Sequence, residues 1–168
     1  TAVIEMACAS GLELVDGPEG NDPIAASTTG TGELIATAVE LGARKVVVCL
    51  GGSATTDGGL GALRALVVPR FRGIEVTVAC DVRTRFLDAA DVFAEQKGAT
   101  PAQVELLRRR LERLAEVYEE EYGVDVRGLP GSGAAGGLAG GLAAIGATLV
   151  DGFDLVAEEL GLAEAMEG

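Results

Sequence analysis

Apolar positions along this chain follow two spacings. Lys45 to Leu50 (KVVVCL) is nearly all apolar and rich in valine, the pattern of a strand buried on both faces in a parallel sheet. Ala2 to Ala7 and Ile74 to Ala79 read as strands of the same kind. Between them the spacing turns helical. Leu34, Ile35, Ala38, Val39 and Leu41 predict a helix that stops at Gly42, and Leu60, Leu63, Ala65 and Leu66 predict a second. Thr100-Pro-Ala-Gln103 combines an N-cap, a first-turn proline and a capping-box glutamine. Val104, Leu107, Leu111, Leu114, Tyr118 and Tyr122 then predict a long amphipathic helix ending at Gly123, with Arg108 to Arg110 and Glu119 to Glu121 on its solvated face. Phe86 to Val92 forms a short amphipathic segment, and Phe153, Val156, Leu160 and Met166 mark a final acidic helix. Strands alternating with helices predict an α/β fold, a layered sheet with parallel strands and flanking helices. Without an internal repeat or clear linker in 168 residues, one domain is expected.

Leu129 to Val150 carries no charge over 22 residues. Glycine and alanine dominate it and acidic residues flank it, so a membrane span is not expected. Within it Gly131-Ser-Gly133-Ala-Ala-Gly136 matches GxGxxG, but the preceding Val124 to Pro130 is broken by Gly and Pro where a dinucleotide site needs a buried strand. The run reads instead as a helix N-terminus approached closely by another backbone or by an anion. Gly137, Gly140 and Gly141 would permit tight helix packing there.

Charge narrows the partners. A net charge of −13 argues against nucleic acid and anionic membranes, and an anionic substrate would need its own local N–H groups, cations or metal. The absence of histidine removes Ser–His–Asp and Cys–His catalysis and His-ligated zinc. Acid–base work falls to Asp, Glu or Lys, and any metal is expected to be a hard cation on oxygen ligands. Cys8, Cys49 and Cys80 are widely spaced in apolar runs without a CxxC, as expected of buried, reduced thiols in a cytoplasmic protein. No signal-peptide pattern opens the sequence.

The densest chemistry follows the valine-rich strand. Gly51, Gly52, Gly58 and Gly59 bracket Ser53, Thr55, Thr56 and Asp57 before a helix starts, placing N–H groups, hydroxyls and a carboxylate around one point. Such a loop suits a phosphate or a polyol, although an ordinary βα turn can also be rich in small residues. Asn21 to Glu33 holds a second cluster, in which Thr31 or a neighbour is an N-cap, with ligand binding as the alternative. Asp81 ends a strand, where open α/β sheets collect ligand groups, though a strand-end cap explains it equally. Lys97 lies in a loop, where lysines are mostly solvated.

Six segments in one order then carry a resemblance: AVIEMACASGLEL (Ala2 to Leu14), STTGTGELI (Ser27 to Ile35), GGSATTDGG (Gly51 to Gly59), ACDV (Ala79 to Val82), QKGATPAQ (Gln96 to Gln103) and GSGAAGGLAGGL (Gly131 to Leu142). Together the chain resembles the bacterial glycerate kinase family, which phosphorylates D-glycerate with ATP. The resemblance implies the second of two α/β domains, with the active site in the cleft between them. It implies further segments of the same polypeptide on either side, absent here, that supply much of the grip on nucleotide and substrate. It also implies Mg²⁺ as cofactor, a cytoplasmic location and a possible homodimer. Asp57 and Asp81 are the catalytic expectations, with Asp81 also a Mg²⁺ partner. Gly51, Gly52, Ser53, Thr55, Gly58, Thr31, Lys97, Gly131 and Gly133 are expected around substrate or phosphate. With Asp57 as the base, Asp57→Asn is expected to lower turnover at least ~10²-fold with folding intact. The alternative is an isolated domain that binds glycerate or phosphate without turnover. Thr56 stands where the family pattern commonly has Asn, and Ala94-Glu95 where it has Gly-Pro, which bears on any phosphate role of the Lys97 loop.

Overall fold

In the computed structural model, residues 1–66 and 70–152 are described. In chain order the elements are β1 (Ala2–Glu5), α1 (Ala7–Ser10), α2 (Thr29–Glu40), β2 (Lys45–Cys49), α3 (Leu60–Leu66), β3 (Glu75–Cys80), α4 (Ala89–Phe93), α5 (Pro101–Tyr122), α6 (Leu138–Ala144) and β4 (Thr148–Asp151). The expected acidic helix from Phe153 onward lies outside the described residues.

The four strands pair in the order β1-β2-β3-β4, all parallel. Each new strand is added on the same side of its predecessor. Right-handed crossovers then deliver the connecting helices to one face of the sheet. Burial agrees. Ile4, Val46, Val48, Val76 and Val78, alternate residues in register across three strands, join the central core cluster with residues from α2, α3, α5 and α6. On the other face the edge residue Val3 is 71% exposed, while its in-register neighbours Val47 and Thr77 are buried.

Helix ends follow their sequence signals. Thr100 Oγ1 accepts the Gln103 N–H and the Gln103 side chain accepts the Thr100 N–H, closing the expected capping box, and Gly123 ends α5 in the left-handed region. The N-cap of α2 is Thr28, not Thr31. Helices α2 and α3 touch where side chains vanish: a Cβ on Gly32 would lie 2.5 Å from the Ala62 carbonyl and 2.7 Å from its Cα. We expect Gly32→Ala to push the two helices apart and destabilise the fold by about 2–3 kcal/mol, measured by urea unfolding.

The Gly131–Leu142 run makes the expected close backbone approach. Ala135 and Gly136 take positive φ in a tight turn before α6, and the Gly136 carbonyl accepts the Gly58 N–H. The cysteines depart from expectation: Cys80 is buried, Cys49 half-buried and Cys8 exposed, because Cys8 sits on the short helix after the edge strand β1. No helix among the described residues is long and apolar enough to cross a membrane.

Candidate functional site

Parallel α/β sheets gather ligands beyond the carboxyl ends of their strands, because chain leaving each strand there turns toward a helix and exposes loop backbone. At the ends of β2 and β3, Gly51, Gly52, Ser53, Cys80, Asp81 and Lys97 line one hollow of about 300 Å³. Five expected site residues meet here, drawn from three separate stretches of sequence.

The burial of Lys97 is the unforeseen part. Far from being solvated, this residue is 5% exposed, on a single 3-10 turn (Glu95–Lys97) that Gly98 closes in the left-handed region. Its Nζ donates to Ser53 Oγ and to the Thr55 carbonyl, both at 2.7 Å, and stands 6.0 Å from the centre of the Phe93 ring. Burial lowers its pKa to about 8, with the Asp57 carboxylate acting in the opposite sense. An ammonium held dry at the rim of a hollow is poised to gain from an arriving anion.

Gly51 and Gly52 leave the loop backbone bare. A Cβ on Gly51 would meet open space, and Gly52 has φ +60°. Asp81 is exposed at the mouth and also lines an adjoining hollow of about 170 Å³ with Gly131 and Asp151. Asp151, at the end of β4, was not singled out from sequence; β4 closes an uncharged, Gly- and Ala-rich run that gave no strand signal. The neighbouring thiols are poor nucleophiles. Burial, then the acidic neighbours Asp81 and Asp151, push the Cys80 thiol up.

Other expected residues serve the framework. One Asp57 oxygen accepts the Thr28 N–H at 2.8 Å, the Thr28 hydroxyl at 2.9 Å and the Gly61 N–H at 3.1 Å, while the other accepts the Gly59 N–H at 3.1 Å. Thr28 Oγ1 in turn accepts the Ala62 N–H. Asp57 therefore joins the N-termini of α2 and α3, supplying the negative charge that both helix ends favour. It borders a larger groove of about 470 Å³ with Arg64 and Arg110, walled by the loop before α2, the start of α3 and one face of α5, and distinct from the strand-end hollow. Thr31 is fully buried, its hydroxyl 2.8 Å from that of Ser10. Gly58 is a packing glycine, wedged against Leu114 and Phe86 with φ +66°. Gly133 bonds the Thr84 carbonyl through its N–H and has no room for a side chain beside Arg85. Thr55 offers Lys97 its carbonyl, while its buried hydroxyl finds no partner among the described residues.

The glycerate kinase family model matches residues 1–69 and 67–168. Glycerate 2-kinase of Escherichia coli is 39% identical over 197 aligned positions, covering 98% of this chain and 51% of that protein. Glycerate kinase of Haemophilus influenzae is 39% identical, covering 84% of this chain and 46% of its own. A crystal structure titled "putative glycerate kinase 2 from Salmonella typhimurium LT2" superposes with a TM-score of 0.88 at 37% identity, covering 96% of this chain and 52% of that one. The chain thus spans about half the length of these relatives. The alignment with the Escherichia coli protein is longer than the 168 residues here, and the two family-model stretches meet at 67–69. With the family model matching both halves and relatives 39% identical over nearly all of its length, the chain belongs to the glycerate kinase family.

Proposed function

We propose that this chain supplies one side of the active site of an ATP-dependent D-glycerate kinase, with the strand-end hollow as the phosphoryl-handling part. One observation carries the reading: a lysine buried against Ser53 and Thr55 faces the same hollow as Asp81 and the bare Gly51-Gly52 backbone. Phosphoryl transfer asks mainly for positioning and for neutralised oxygens. The Lys97 ammonium offsets negative charge on the transferring group. Ser53 Oγ and the Gly51-Gly52 backbone orient the oxygens of glycerate or phosphate. Asp81 holds the attacking hydroxyl and takes its proton as the new O–P bond forms and the bond to the departing ADP breaks.

Mg²⁺ fits the donor set. Among the described residues no three His, Cys, Asp or Glu side chains converge, but this ion keeps waters and needs only one or two carboxylates beside the substrate phosphates. Asp81 and Asp151, at the ends of β3 and β4, would hold it, and when bound it supplies further neutralisation of phosphate charge.

The test is ATP consumption coupled to D-glycerate, run on the chain alone and on the chain carried in a full-length relative in place of its matching half. D-glycerate-dependent turnover in the hybrid is expected. A folded hybrid that consumes no ATP contradicts the kinase reading, and glycerate binding without turnover would favour the binding-domain alternative. In the same hybrid, Asp81→Asn should lower kcat by about 10²-fold without moving Tm, since the exposed side chain is a chemical group rather than a packing one.

A further inference from the structure

Asn21 lies on the surface loop between α1 and α2, far in sequence from both halves of the hollow. Its side-chain nitrogen donates twice, to the Ala54 carbonyl at 3.0 Å and to the Lys97 carbonyl at 2.9 Å. Lys97 Nζ meanwhile binds the residues on either side of Ala54, through Ser53 Oγ and the Thr55 carbonyl. Amide, loop and lysine turn thus form a closed ring of hydrogen bonds. The loop carrying Asn21 is anchored in turn: the Asn21 N–H donates to the Gly17 carbonyl at 3.1 Å, and Gly98 packs so closely on Pro18 that a Cβ would collide with its carbonyl oxygen.

Few side chains can occupy this place. Two carbonyl oxygens pointing at one site require two donors from one group. A carboxylate has none when ionised, and a hydroxyl has one. Ala54 and Lys97 belong to segments that share no strand pairing, so backbone ladders do not hold them together.

We propose that Asn21 is a positioning residue for the phosphate-handling hollow: its amide clamps the Lys97 turn onto the Ser53–Thr55 loop, keeping the ammonium dry and facing the ligand. The proposal rests on the reading of Lys97 given above. Opening the ring would let the single 3-10 turn move outward and admit water to Nζ.

The chain has only two lysines, Lys45 and Lys97, so ¹³C-lysine labelling yields two side-chain Cε signals whose titrations are followed separately by NMR. In the wild-type chain the Lys97 midpoint is expected near 8. In Asn21→Ala it should rise by about one pH unit or more, because hydration favours the charged form. Asn21→Ser, which keeps one donor, should fall between. A wild-type midpoint near 8 that is unchanged in both variants overturns the proposal. So does loss of the fold in both, which would make Asn21 a general stabiliser. A wild-type midpoint near 10.5 removes the Lys97 reading itself, so the two failures are distinguishable without any activity assay.

Discussion

Lys97→Met is expected to lower kcat of the hybrid enzyme by about 10²- to 10³-fold, the range seen when one preorganised electrostatic contact is removed, while leaving the protein at least as stable at pH 7. The two effects have one origin. Folding carries the Lys97 ammonium from water to a buried site and lowers its pKa from 10.5 to about 8. That shift corresponds to a penalty of about 3 kcal/mol on the charged form, after the opposing attraction of the Asp57 carboxylate. Methionine fills similar volume without the penalty. The sign is checkable by pH. Between about 8 and 10.5 the unfolded chain retains a proton that the folded chain has released, so wild-type stability should rise with pH across that window. Below pH 8 both states are protonated and this contribution is level. Urea unfolding of Lys97→Met should lack the rise. A variant that loses stability at pH 7 and shows the same pH trend as wild type would contradict the account. Activity should move oppositely in the wild type, with kcat/KM falling above about pH 8 as the ammonium is lost.

Asp57→Asn is the second large effect, and it should appear in stability rather than chemistry. The carboxylate accepts N–H groups of Thr28, Gly59 and Gly61 and the Thr28 hydroxyl. An amide turns one acceptor oxygen into a donor facing other donors. Loss of charge-assisted bonds and the resulting mismatch should cost about 3 kcal/mol. For the fraction that remains folded, kcat should stay within a few-fold of wild type. A stable variant with turnover reduced ~10²-fold would restore Asp57 to the role of base.

These two residues show where sequence was informative and where it was not. Buried strands and the long helix α5 were legible because valine runs and a capping box are local signals that packing does not override. Strand β4 was not, since Thr148–Asp151 closes a glycine- and alanine-rich stretch and its end residues stay exposed. Within the site, the cluster around Ser53 was visible as a loop rich in small polar residues. Its division of labour was not. Asp57 and Ser53 are four positions apart, yet one faces the joint of α2 and α3 and the other the strand-end hollow. Lys97 looked like an ordinary loop lysine because burial by Asn21, Ser53 and Thr55 depends on residues more than forty positions away.

The central claim is that Lys97 meets the ligand's phosphate. Following the Lys97 Cε resonance during titration of the chain with phosphoglycerate tests this directly. The account predicts that the signal shifts on saturation and that its midpoint climbs above 8, since a bound anion favours the charged amine. Binding detected by calorimetry with the Lys97 resonance and midpoint unmoved would contradict it.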